Sequence, residues 1–137
     1  MVCSMSEKIK LFIGTSSNGE DALAEMAYEY SLRKNTDSDI DIVWMQQTND
    51  EKDFWGGWDS SRWSTPFSGF RWAIPEYCNF KGRAIYTDVD MINFHDITQL
   101  YETKLDDSFH AGLPPVTGVK WMCIVWVRLN KIPDIYQ

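Results

Sequence analysis

The residues whose types and spacing point most directly to chemistry are Asp88 and Asp90, one valine apart at the end of the apolar run Arg83 to Thr87. In extended backbone, positions two apart project to the same side and lie about 7 Å from each other. Two carboxylates held that way repel unless a cation sits between or beside them. Hard oxygen donors with open positions suit Mg²⁺ or Mn²⁺ bridging to a diphosphate. A solvated strand end is the alternative, and the triplet Asp-Val-Asp by itself leaves both readings open. Around the pair, Trp55, Trp58 and Trp63 dot a polar stretch, where their rings could stack on sugar faces, fold over a ligand as a lid, or pack into the core. His95, beside Asp96, reads as a surface or cap residue. No Ser-His-Asp order and no glycine-rich phosphate loop is visible, and Gly56-Gly57 marks only a flexible point.

Elements must deliver those carboxylates, and the sequence supplies a coherent set. Lys8 to Gly14 (KIKLFIG) alternates, then runs apolar and stops at a glycine, as a strand entering a buried sheet does. Ser17 and Glu20 then have capping-box spacing, with Asp21 in the first turn. Ala22, Leu23, Met26, Ala27 and Tyr30 fall on one helical face, and Arg33 and Lys34 lie near the helix end. After the polar turn Asn35 to Asp39, Ile40 to Met45 is a β-branched and aromatic segment able to pair in parallel beside the first strand. Gln46 to Ser64 reads as a long surface loop. Thr65 to Tyr77 reads as a helix kinked or shortened by Pro75. Arg83 to Thr87 is the next strand, Asp96 caps a helical turn ITQLYE, and Val119 to Val127 is a last apolar strand. No repeat or Pro/Ser-rich linker separates these parts. The expectation is one α/β domain over residues 1–137, Rossmann-like, with a mostly parallel sheet flanked by helices.

Composition narrows the functions. Thirteen Lys and Arg against twenty Asp and Glu give a net charge of −7, which opposes binding to nucleic-acid phosphates or anionic lipid. The three cysteines, Cys3, Cys78 and Cys123, show neither CxxC nor zinc spacing and read as free thiols. The longest strongly apolar stretch, Trp121 to Val127, is far short of the roughly 20 residues a membrane span needs. The polar start MVCSMSEKIK lacks a signal-peptide core. A cytoplasmic location is expected.

The ordered combination of motifs resembles the GT-A fold glycosyltransferases, in particular the family of lipopolysaccharide galactosyltransferase-like and glycogenin-like enzymes. RAIYTDVDMINFHDITQLY looks like that family's apolar strand, D-x-D, apolar pair and Asp-Ile before a short helix. FSGFRWAIPEYCNFKG is similar to its arginine-bearing helix ending in Ile-Pro-Glu, and KIKLFIGTSS to its opening strand. The resemblance implies a metal-dependent glycosyltransferase using a nucleotide-diphosphate sugar, a UDP-sugar before others, with an unidentified acceptor. It implies that Asp88 and Asp90 hold Mn²⁺ or Mg²⁺ on the diphosphate. Arg71 would lie near the diphosphate or sugar, a use that suits a guanidinium, unless it pairs with Glu76 or Asp96. Gly14, Thr15 and Ser16 would border the nucleoside. His110, Gly112, Gly118, Lys120 and Trp121 follow the order of the family's C-terminal His-Gly-Lys-Trp motif without its spacing. Family members are longer, so this length implies that much of the acceptor-side region is missing.

Two other functions compete. One is a non-catalytic, truncated or degenerate nucleotide-binding module. The other is a phosphohydrolase of the haloacid dehalogenase type, which also places D-x-D after an apolar strand. There the motif normally sits on the opening strand, whereas here 87 residues precede Asp88.

Overall fold

Three β-branched and aromatic runs become the parallel core of one sheet. The computed structural model describes residues 8–46, 52–53, 55–56, 69–79, 82–102 and 125–128. Strands β1 (Ile9–Gly14), β2 (Ile40–Met45) and β3 (Arg83–Asp88) are joined by β4 (Val125–Arg128) in the order β2-β1-β3-β4. β1 pairs in parallel with both β2 and β3, while β4 closes the other edge of β3 in antiparallel sense. β1 and β2 match their sequence expectations closely, and the expected last strand is described only over β4. The central strand β1 is buried nearly throughout, as a parallel strand covered on both faces must be.

Helix α1 (Ala22–Asn35) connects β1 to β2, as expected, but two details differ from the sequence reading. The expected Ser17–Glu20 capping box does not form: Glu20 N–H turns to Asn18 Oδ1, and Asp21, the N-cap residue, makes no side-chain cap bond but accepts the Ser16 backbone N–H at 2.9 Å. Its orientation also differs. Tyr28, Ser31 and Leu32 face the sheet, while Leu23 (81%), Met26 (69%) and Tyr30 (66%) are exposed.

The reason lies in polar contacts far away in sequence. Ser31 Oγ accepts the Asn93 backbone N–H at 2.8 Å, and Asn35 Nδ2 donates to the Asn93 carbonyl at 3.0 Å. Near the other end of the helix, Glu25 accepts a hydrogen bond from the Thr15 hydroxyl. These fix the rotation of α1 against the sheet. Leu32, fully buried, then packs with Ile9, Leu11, Ile85 and Ile97, a burial that contributes about 1.5–3 kcal/mol.

The opposite face is covered by a 3-10 turn, Phe70–Ala73, that runs directly into the short helix α2 (Ile74–Tyr77). Of the helix expected over Thr65 to Tyr77, kinked or shortened by Pro75, the described part is this 3-10 start and a short α2 with Pro75 in its first turn. Proline is tolerated there because that N–H has no helical partner. Asn79, at φ 52°, ends the element in the left-handed conformation that asparagine tolerates. Trp55 belongs to this layer. It is buried and stacked between Phe70 and Tyr77, with centroids at 5.3 and 5.7 Å. Of the three tryptophans considered for a lid or sugar platform, this one is therefore a core residue, and Trp58 and Trp63 lie outside the described residues.

Helix α3 (Ile97–Tyr101) begins as the sequence predicts, with Asp96 Oδ1 accepting the Thr98 backbone N–H at 2.9 Å. Those hydrogen bonds from Thr98 hold the Asp96 carboxyl below the usual carboxylate range. The far end of α3 is tied to β3: Arg83 donates to the Tyr101 carbonyl, and the Tyr101 hydroxyl donates back to the Arg83 carbonyl at 3.2 Å. Among the described residues no helix is long and apolar enough to cross a membrane.

Candidate functional site

The last residues of the three parallel strands, Met45, Gly14 and Asp88, stand in a row. Gly14 is the register partner of Met45 on one side and of Asp88 on the other. Side chains alternate along a strand, so Gly14 shares a face with Phe12, and Asp88 with Tyr86. Phe12, Met45 and Tyr86 all pack in the cluster beneath the 3-10 turn and α2. Met45 and Asp88 thus flank a position with no side chain, at the carboxyl end of an open parallel sheet, where α/β proteins bind ligands.

Asp88 is half-buried, and its Oδ1 accepts a hydrogen bond from the Tyr86 hydroxyl at 2.8 Å. Strand pairing stops there. Val89 turns into the core, the chain bends, and Asp90 is exposed. The two carboxylates are therefore delivered by a strand end and the bend after it, not by one continuous extended strand. Arg71, from the 3-10 turn, sets its guanidinium over the Tyr86 ring at 5.5 Å from the centroid. Gly14, Arg71 and Asp88 are brought to one face through Tyr86. No motif position marks Tyr86, and its place two positions before Asp88 on a strand is the one signal of this contact in the sequence.

Thr15 reaches the same edge on the other face. It is fully buried, its N–H donates to the Met45 carbonyl at 3.2 Å, and its hydroxyl is engaged by Glu25 of α1. Nearby, burial pushes the Tyr28 phenol up to about 12, and the Asp88 carboxylate adds to that rise. The Thr87 hydroxyl lies close enough to Tyr28 to oppose the rise slightly. It does not meet hydrogen-bonding geometry there, so Thr87 Oγ1, like Ser16 Oγ, is buried without a partner.

His95 is exposed, its carbonyl accepting from Asn93 Nδ2. Cys78 is a buried free thiol, its pKa raised mainly by that burial, which fits a structural and not a reactive cysteine. His110, Gly112, Gly118, Lys120 and Trp121 lie outside the described residues, as do Cys3 and Cys123.

The donor set can be tested against the implied cation. Among the described residues no third His, Cys, Asp or Glu joins Asp88 and Asp90. Two carboxylates do not make the closed tetrahedral set of a structural zinc. They do fit Mg²⁺ or Mn²⁺, which keep several waters and complete their shell with substrate phosphate oxygens.

No protein-family model and no curated protein matches the chain. Among solved structures, the chain is similar to the apo form of the glycosyltransferase GlyE of Streptococcus pneumoniae TIGR4, with a TM-score of 0.54 at 14% sequence identity. The match covers 95% of this chain and 36% of that one, so the chain spans little more than a third of its neighbour's length. The likeness establishes the fold: an α/β arrangement of GT-A type, with a three-stranded parallel core flanked by helices.

Proposed function

We propose that residues 1–137 form a nucleotide-sugar-binding unit of a metal-dependent glycosyltransferase, with Asp88 and Asp90 as the ligands of Mn²⁺ or Mg²⁺. The observation that carries this reading is the position of Asp88. Its half-buried carboxylate ends a parallel strand of a GT-A-type sheet, opposite a glycine, with Arg71 arriving through the Tyr86 ring. Support for the transferase chemistry comes from the glycosyltransferase whose fold the chain shares.

In this reading Gly14, buried at the strand end and without a side chain, lets the nucleoside approach the backbone of the sheet edge, and Thr15 shapes that edge from the α1 side. Arg71 lies near the donor's diphosphate, where a guanidinium can give two parallel hydrogen bonds and oppose charge developing on the leaving group. When bound, the cation supplies Lewis-acid neutralisation of the same diphosphate. A UDP-sugar is the first donor to try.

A thermal-shift experiment tests the proposal. A nucleoside diphosphate with Mn²⁺ raises the melting temperature of the parent chain, and Asp90→Ala abolishes the rise. An unchanged melting curve for the parent sinks it. A rise without release or transfer of sugar from the donor would instead mark a nucleotide-binding module that does not turn over.

A further inference from the structure

We infer that the Tyr86 hydroxyl is a positioning group for Asp88 that makes the site select small octahedral cations over Ca²⁺, an inference that rests on the proposed role of Asp88 as a cation ligand. Tyr86 is 2% exposed in the middle of β3, with Phe12 as its register partner on one side and Val125 on the other. Its ring is further covered by the Arg71 guanidinium. The phenol oxygen is consequently held by the sheet and cannot follow a rotating carboxylate. Its O–H donates to Asp88 Oδ1 at 2.8 Å, and a cation over the ring face draws electron density from the phenol and strengthens it as a donor.

That bond has a consequence for denticity. With one lone pair of Oδ1 engaged by a fixed donor, Oδ2 is the oxygen more freely offered to a cation, which favours a one-oxygen mode. Mg²⁺ and Mn²⁺ take six oxygen ligands in near-octahedral geometry and are served well by single carboxylate oxygens. Ca²⁺ takes six to eight ligands at longer distance and commonly uses both oxygens of a carboxylate. Tyr86 thus disfavours the larger ion without touching either. Partners of this kind orient a ligand, and their loss typically changes metal affinity by about 10- to 100-fold.

The test is direct cation binding by the 137-residue chain. Free Mn²⁺ is followed by electron paramagnetic resonance, with Mg²⁺ and Ca²⁺ as competitors, in the parent, Asp88→Ala and Tyr86→Phe. The expected result is Mn²⁺ binding that Asp88→Ala abolishes, together with a shift of about tenfold toward Ca²⁺ in the Ca²⁺-to-Mn²⁺ affinity ratio of Tyr86→Phe. If binding depends on Asp88 but the ratio in Tyr86→Phe equals the parent's, the positioning role is overturned while the proposed function stands. If the parent shows no Asp88-dependent binding, both fall. A Tyr86→Phe chain that does not fold assigns the hydroxyl to stability alone and also overturns the inference.

Discussion

Gly14 and Asp88 are direct partners across the β1–β3 ladder, the last pair before each strand leaves the sheet. A side chain at position 14 would stand on the same face as the Asp88 carboxylate, between it and Met45. The expectation for Gly14→Val is that the Kd for a nucleoside diphosphate with Mn²⁺ rises about tenfold or more, a loss of about 1.4 kcal/mol. Binding of Mn²⁺ alone should stay within about twofold, because the carboxylates are untouched. Valine is well suited to a strand, but Gly14 is buried, so the added methyl groups should also cost about 1–3 kcal/mol of packing, which chemical denaturation of the variant measures. Calorimetric titrations with and without the nucleotide separate the two effects, and equal losses in both would argue that the glycine supports the strand end and not a ligand.

The rotation of α1 yields a second prediction, with two leucines as its reporters. Leu32 is fully buried, while Leu23 is 81% exposed. Leu32→Ala should lower the unfolding free energy by about 2–5 kcal/mol, and Leu23→Ala should change it by no more than about 0.5 kcal/mol. Chemical denaturation of both variants checks this. The reverse order would restore the helix face that apolar periodicity suggests.

That contrast shows where the sequence was legible. β1 and β2 could be placed to within about a residue because each is a short apolar, β-branched or aromatic run bounded by turn-forming residues. Asp96 could be recognised as a cap because its partner, Thr98, is two positions away. The face of α1 was not legible. Ala22, Leu23, Met26, Ala27 and Tyr30 outweigh Tyr28, Ser31 and Leu32 in apolar periodicity, yet Ser31 and Asn35 bond to Asn93, 62 and 58 positions away. A pattern confined to one helix carries no trace of such partners. Trp55 was hidden in a comparable way, since its neighbours Phe70 and Tyr77 lie on the next element.

At the site, the carboxylates were legible and their wiring was not. Asp88 and Asp90 stand out by spacing after an apolar strand. The bend at Val89 and the bond from Tyr86 depend on where β3 stops pairing, which β1 decides: its last partner, Gly14, is also its last residue. Arg71 had Glu76 and Asp96 as plausible partners in sequence. Its contact with Tyr86 follows from the packing of the 3-10 turn over β3, which no sequence pattern around Arg71 announces.

Tyr28 gives the third prediction, one of pH dependence. Burial raises its pKa from 10.0 to about 12. A group whose folded pKa lies above its unfolded value contributes stability that is fully present below the unfolded pKa and is lost as pH rises through the folded one. Here the window runs from about pH 10 to about pH 12. Across that interval the native state must keep Tyr28 neutral, or ionise it at a cost, while the unfolded chain ionises freely. The stability lost through this residue is on the order of 2–3 kcal/mol, from about 1.4 kcal/mol per pKa unit. Tyr28→Phe removes the ionisation and should flatten this part of the alkaline unfolding profile. The check is a pair of denaturation series at steps from pH 9 to 12, and parallel profiles for the two proteins would show that Tyr28 does not govern the alkaline limit.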